Sequence, residues 1–361
     1  MNAEFMQAIV ELGKEKGITP ELLYQAVEEA LITAYKKNFG SSQNVRVDLN
    51  KATGEIHVFA RKNIVETVTD ETQEISLENA RKINPNYEVQ DIMEEEVTPR
   101  DFGRIAAQNA KQVVVQRIRE AERGMVYEKF SNRENDIVNG IVQRLENRNV
   151  YIDLGRAEAM LMPNEQIPGE VYQYHDRIKT YIVEVKKTSK GPQIMVSRTH
   201  PGLLKRLFEL EVPEIHDGLV EIKSVAREPG MRSKIAVYTK DENVDPVGAC
   251  VGQKGMRVQT IVNELRGEKI DIVKYSSDPE QYVANALSPA KVVLAQVFEE
   301  EKICRVVVPD YQLSLAIGKE GQNARLAAKL TGWKIDIKSE TQAAALNEAK
   351  VSDVVEGSGE K

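Results

Sequence analysis

The chain is short of cysteine, histidine and long apolar runs, and each shortage excludes something. Only Cys250 and Cys304 occur in 361 residues, too few and too far apart for a disulfide framework or a zinc site, so a reducing cytoplasm fits best. No uncharged apolar stretch approaches the ~18 residues that span a bilayer, so no membrane contact is expected. The opening Met1-Asn2-Ala3-Glu4-Phe5 lacks the basic start and apolar core of a secretory leader. Four histidines, His57, His175, His200 and His216, are scattered, with no nucleophile–base pairing and no metal-spaced acidic cluster. A catalytic residue, a metal and a cofactor are therefore not expected, and the chain reads as a non-enzyme.

An excess of positive charge is also missing. The net charge is −7, which argues against a nucleic-acid partner until it is resolved along the chain. Residues 1–131 carry 17 Lys and Arg against 22 Asp and Glu; residues 132–199 carry 10 against 9, residues 200–276 carry 12 of each, and residues 277–361 carry 10 against 13. The acid sits at the two ends. A neutral middle leaves room for a basic face and implies modest, salt-sensitive binding of a polyanion.

What is present is a repeat. Ala249-Cys250-Val251-Gly252-Gln253-Lys254-Gly255 leads into a helical pattern and then Gly267-Glu268-Lys269-Ile270-Asp271-Ile272; Leu315-Ala316-Ile317-Gly318-Lys319-Glu320-Gly321 leads into another and then Gly332-Trp333-Lys334-Ile335-Asp336-Ile337. Chance spacing of the glycines would give on the order of one Gly-x-x-Gly. A single copy would be an ordinary turn; two copies in the same context are architecture. A Gly-x-x-Gly turn opening a helix presents bare backbone and orphan N–H groups to an anion. Gly252, Gln253, Lys254 and Gly255, with Arg257 beyond, and Gly318, Lys319 and Gly321, with Arg325 beyond, are the candidate phosphate contacts. The pair resembles two KH modules, which clamp about four nucleotides of single-stranded RNA against an apolar groove.

The remaining segments can be read in order. Residues 1–40 form a helical hairpin: the first helix stops near Lys16-Gly17, and Thr19-Pro20-Glu21 restarts the second. From Val45 the period drops to two, giving a hairpin across Lys51-Ala52-Thr53-Gly54. Ser76 to Arg81 reads as a short capped helix. Thr98-Pro99-Arg100-Asp101 is a capping-box pattern opening a helix to about Phe130, roughly 50 Å long by its rise per residue, which would connect domains unless Gly103 or Gly124 breaks it. Ile137 to Val142, Asn149 to Leu154, Glu158 to Met162, Arg177 to Lys187 and Pro192 to Ser197 are five short strands, the scale of an OB-fold barrel. Tyr151, Tyr172, Tyr174 and Tyr181 are candidate stacking residues there, with Lys179, Lys186, Lys187 and Arg198 for the backbone, although for any one tyrosine a packing role is the simpler reading. Arg227, Arg232 and Lys234 cluster at the Arg227-Glu228-Pro229-Gly230 turn and extend the phosphate track or are merely solvated. Ala290 to Phe298 reads as a helix before the strand Cys304 to Val308. Residues 341–361 look like a frayed helix and a disordered tail.

Taken together, Arg227-Glu228-Pro229-Gly230, Asp245-Pro246-Val247-Gly248-Ala249-Cys250-Val251-Gly252 and Ile317-Gly318-Lys319-Glu320-Gly321-Gln322-Asn323-Ala324-Arg325-Leu326-Ala327 resemble the NusA family of bacterial transcription elongation, pausing and termination factors over about residues 1–340. The resemblance implies an α+β multidomain chain: a mixed helical N-terminal domain with connector helix at 1–131, an S-one-type OB-fold β-barrel at 132–199, tandem KH modules at 200–276 and 277–340, and a tail at 341–361. It implies that the head binds RNA polymerase core near its flap and exit channel while the barrel and KH modules hold nascent single-stranded RNA, with other Nus factors as further partners of a monomer. Two features qualify it: the second loop sets Glu320 beside Lys319, and no acidic repeat extension follows the second KH module. The rivals are an exoribonuclease of the polynucleotide phosphorylase kind, for which a catalytic core is missing, and a ribosome-associated RNA-binding or assembly factor without polymerase contact.

Overall fold

The computed structural model describes residues 3–39, 44–100 and 102–345, which divide into two compact units, the first up to Glu128 together with Ser189–Pro192 and the second made of the rest. In the first, α1 (Ala3–Lys16) and α2 (Pro20–Phe39) pack as a hairpin on β1 (Asn44–Leu49) and β2 (Ile56–Val65). Leu23, Val27 and Leu31 of α2 meet Val45, Val47, Leu49 and Val58 in one core. Burying such side chains is worth about 1.5–3 kcal/mol each, which is what holds the β1–β2 pair against its helices. Two short strands escaped the sequence reading: β3 (Glu74–Ser76), parallel to β2, and β4 (Ile92–Glu96), antiparallel to it. Ser76 caps α3 (Leu77–Ile83), as its spacing predicts.

The long helix α4 (Phe102–Ser131) is unbroken over 30 residues. Neither Gly103 nor Gly124 breaks it into pieces. Phe102, Ala106, Ala110 and Val114 anchor its first half in the head core. Thr98 does not cap it: its hydroxyl accepts the Val58 N–H at 2.9 Å and donates to Glu96. Asp101 lies outside the described residues, as do residues 346–361 of the expected tail.

In the second unit, β5 (Ile137–Glu146), β6 (Asn149–Asp153), β7 (Glu158–Leu161), β8 (Arg177–Thr188) and β9 (Gly191–Ser197) close into a barrel in the order β5-β6-β7-β9-β8. Then α5 (Pro201–Glu211), α6 (Pro213–His216), β10 (Val220–Glu228), β11 (Arg232–Thr239), α7 (Pro246–Val251), α8 (Met256–Glu264) and β12 (Lys269–Lys274) make a module whose sheet runs β10-β11-β12. A second module follows: α9 (Pro279–Ala286), β13 (Leu294–Phe298), β14 (Ile303–Val308), α10 (Leu313–Ile317), α11 (Gln322–Thr331) and β15 (Lys334–Ser339), with the sheet β13-β14-β15. In both sheets the first pair is antiparallel and the second parallel.

The expected helix over Ala290–Phe298 is corrected. Leu294–Phe298 is a strand, antiparallel to Ile303–Val307. The segment Val292-Val293-Leu294-Ala295-Gln296-Val297 is rich in β-branched residues, which fit a pleated surface better than a helix. The module's own helix lies earlier, at α9, where Asp278 accepts the Glu280 N–H and Pro279 holds the first position, a start signal as strong as Thr19-Pro20-Glu21.

A buried ionic seam joins the barrel to the first module. The Arg198 side chain, 1% exposed, pairs with Glu170 and Glu264 and donates to the carbonyl oxygens of Lys179 and Glu264. Tyr172 donates to the same Glu170 at 2.8 Å. Burial works to lower the Arg198 pKa, but the hydrogen bond and charge of Glu170 outweigh it and hold the group charged. Removing one partner of such a pair leaves a bare buried charge. Arg198→Met should destabilise the chain by about 3–5 kcal/mol in urea unfolding, and adding Glu170→Leu should recover part of that loss; an equal or larger loss in the double variant would refute this account.

Candidate nucleic-acid interface

The two glycine loops adopt the same backbone. Gly252 and Gly318 have φ/ψ of 73°/178° and 78°/170°; Lys254 and Glu320 have 50°/26° and 53°/27°; Gly255 and Gly321 have 76°/14° and 73°/14°. Each loop thus spends three residues at positive φ, a region that favours glycine and that a lysine or glutamate occupies only under constraint. The leading glycines are also short of space: a methyl on Gly252 would sit 2.7 Å from Cγ of Arg257, and one on Gly318 would sit 2.8 Å from the Asn323 backbone nitrogen. The trailing glycines are open, with the nearest atom at 4.0 Å from a methyl on Gly255 and nothing within 4 Å of one on Gly321.

The constraint comes from a tether placed five residues after each leading glycine. The Arg257 guanidinium donates to the Ala249 carbonyl at 2.6 Å and pairs with Glu214 at 2.9 Å. In the second loop Asn323, 5% exposed, donates its amide to the carbonyls of Ala316 and Leu287, both at 3.0 Å. Different side chains pin the end of the preceding helix in each copy. Gln253, Lys254, Lys319 and Glu320 remain exposed at the turn, and among the described residues neither lysine ammonium is in an ion pair. A left-handed turn followed by the first N–H groups of α8 or α11 is a concave donor surface, suited to an anion.

The basic residues beyond the loops are engaged. Arg325, half exposed, binds Glu228 at 2.6 Å and the Glu320 carbonyl at 3.2 Å, and Gln322 adds a bond to Glu228 at 2.8 Å. These contacts bring the second loop beside the β10–β11 turn of the first module.

Three sequence candidates are corrected by burial. Arg227 is internal: it meets Glu268 through two hydrogen bonds of 2.9 Å, donates to the His200 carbonyl, and lies 2% exposed opposite a fully buried carboxylate. Glu268 also accepts from the Gly230 N–H and the Ser233 hydroxyl. Burial would raise the Glu268 pKa, but Arg227 and these donors hold it below the usual carboxylate value. Lys234, fully buried, bonds Asp271 at 2.9 Å and the Ser288 carbonyl at 2.8 Å, while burial lowers its pKa. Arg198 belongs to the seam described above. Sequence shows a charge but not its desolvation, so a structural clamp reads there as a cluster of free cations. Arg232 is partly exposed, with both its bonds on Asp271. Lys179 pairs with Glu264 at 2.8 Å.

On the barrel, Tyr151 is half-buried under the Arg144 guanidinium, 3.9 Å from its ring centroid. Arg144 was missed by the sequence reading, and the signal is register: it stands opposite Tyr151 across β5 and β6. The same guanidinium is paired with Glu158 at 2.7 Å and Glu146 at 3.2 Å, so the stacked pair offers a flat face for a base with its charge already met by carboxylates. Tyr172 is buried on Glu170, and Tyr181 is stacked on His200 at 4.6 Å, so neither is a free platform. Tyr174 is 61% exposed, and Lys186 is bound to Glu184.

Comparison with known proteins supplies the family. The NusA N-terminal domain matches residues 4–124, the S1 RNA binding domain 131–197, the NusA-like first KH domain 198–275 and the NusA-like second KH domain 279–345. The transcription termination/antitermination protein NusA of Halalkalibacterium halodurans is 68% identical across 96% of this chain and 91% of its own. Its counterpart in Bacillus subtilis is 67% identical across 96% and 93%, and that of Thermus thermophilus 43% identical across 99% and 92%.

Because the leading glycines are both left-handed and crowded, Gly252→Ala and Gly318→Ala should each destabilise the second unit by about 2–3 kcal/mol, against about 1 kcal/mol for Gly321→Ala, where only the dihedral is at stake. Urea unfolding of the three variants checks the order, and equal losses would show that crowding contributes nothing.

Proposed function

The chain belongs to the NusA family of transcription termination/antitermination proteins, and from that membership we propose that it works as a non-catalytic clamp, anchored to RNA polymerase core by residues 1–131 while its barrel and KH modules hold nascent single-stranded RNA. The observation that carries the RNA half is the matched geometry of the two glycine loops. They present the same left-handed backbone, with exposed lysines, within one compact unit that also contains the barrel. A strand passing over both would find its phosphates bound by backbone N–H groups and Lys254 or Lys319, and a base platform at Tyr151 and Arg144. Such contacts bias nascent RNA between paired and extended states, and so shift the polymerase between pausing and elongation rather than carry out chemistry.

The loops are not equal. Lys254 and Glu320 occupy the same left-handed corner, so that corner attracts a phosphate in the first module and repels one in the second. The first loop is therefore the tighter grip. The alternative of a ribosome-associated factor has no feature of its own here, since the relatives are named for transcription.

The test uses purified polymerase and the intact chain. Lys254→Asp with Lys319→Asp should weaken RNA binding by about 1.5–3 kcal/mol per lost charged contact and lower the salt slope of binding by about 0.7 for each phosphate released. Pause lifetimes should fall toward those of polymerase alone. Unchanged affinity and unchanged pausing would remove both loops from the account.

A further inference from the structure

The internal repeat identifies a surface that one copy uses and that, among the described residues, the other leaves without a partner. In the first module β11 is buried on both sides: Ser233, Lys234, Ile235, Ala236 and Val237 are all buried in succession. Ile235 and Val237 face the module's own helices, in a core with Leu207, Phe208 and Ile261. Ala236 faces the opposite way, and with Ala226 and Val273 it joins the core of the second module, among Tyr282, Ala286, Leu326 and Leu330. The outer face of this first sheet is thus the docking site of helices α9 and α11, fastened by Ser224 and Tyr282, whose hydroxyls both donate to the Leu330 carbonyl.

In the second module the equivalent strand alternates. Cys304, Val306 and Val308 are buried, while Arg305 is exposed and Ile303 and Val307 are only half-buried. Register puts Leu294 opposite Val307, Gln296 opposite Arg305 and Phe298 opposite Ile303 on one edge, with Asp336 and Lys338 beside Arg305 and Val307 on the other. Together they form the outer face of the second sheet. Leu294 is 57% exposed there, and Arg305 covers the Phe298 ring at 4.5 Å.

We propose that this outer face of the β13-β14-β15 sheet is a docking surface for an acidic amphipathic α-helix of a partner protein. The repeat says what kind of element fits: the matching face of the first sheet is filled by helices. Volume says what the helix presents. Where the first sheet offers the small Ser224, Ala226 and Ala236, the second has Leu294, Gln296 and Val307, so the contact stripe of the incoming helix is made of small residues. Charge sets its flanks. Arg305, Lys334 and Lys338 outnumber Asp336 on this face, and Asp336 is met by Lys338 at 3.5 Å, so the flanks of the incoming helix carry acid. The exposed Leu294, flanked by half-buried Phe298 and Val307, favours a helix over a phosphodiester chain.

The experiment uses the full chain with labelled Leu, Val and Ile methyl groups. It is titrated with a synthetic helical peptide of about 18 residues, alanine on one stripe and glutamate on its flanks, and with the same peptide carrying lysine for glutamate. Saturable shifts at Leu294, Ile303 and Val307, with the glutamate peptide binding about tenfold more tightly, support the proposal. Leu294→Asp should abolish the shifts at Val307, and Arg305→Glu should weaken the preference for the glutamate peptide. Shifts elsewhere, or no preference between peptides, overturn it. It is equally overturned if the same methyls move with a single-stranded oligouridine, with protein concentration alone, or on deletion of residues 346–361, because the face would then belong to RNA, to a second copy, or to this chain.

Discussion

The second unit depends on desolvated cations, of which Arg198 sits at the seam between the barrel and the first KH module. Arg198 is closed off from water and held by Glu170, Glu264 and two backbone carbonyls, so the barrel and the first KH module can meet only where every one of those bonds is made at once. An apolar seam tolerates sliding and repacking. A buried guanidinium with directional partners does not, because a shift of an ångström strands a charge in a dry interior. Arg227 with Glu268 does the same inside the first module, and Lys234 with Asp271 extends it to the Ser288 carbonyl at the entrance to the second. Charges that look available for RNA are what fixes the distance between RNA-binding parts.

That substitution of roles marks where the sequence was legible and where it was not. The five barrel strands were readable because a small barrel exposes one side of each strand, and the alternation in Ile137–Val142 or Arg177–Lys187 survives in the order of the residues. The glycine loops were readable because they occur twice. The helix expected at Ala290–Phe298 went wrong because a short run of valines and alanines carries little period, and its true state is decided by pairing with a strand beyond the turn. Arg198, Arg227 and Lys234 misled for a different reason. Nothing in the order of residues states that a carboxylate from 28, 41 or 37 positions away will cover them.

The repeat also shows what is kept when sequence drifts. The two loops agree within a few degrees at each left-handed residue although only the glycines are shared at the turn itself. The tether is arginine in one copy and asparagine in the other, yet both hold carbonyls at the end of the helix before the turn. Backbone shape is the common requirement; the charge presented on it, Lys254 in one and Glu320 in the other, is free to differ and sets the strength of each grip.

A strand wedged between two cores is answerable to both. Any change of volume at Ile235, Ala236 or Val237 is felt on one side by α5 and α8 or on the other by α9 and α11, and a shift of the strand itself transmits it across. Melting of β11 would accordingly unravel both KH modules together, so hydrogen exchange along β10 to β15 would report one cooperative opening in place of two separate ones.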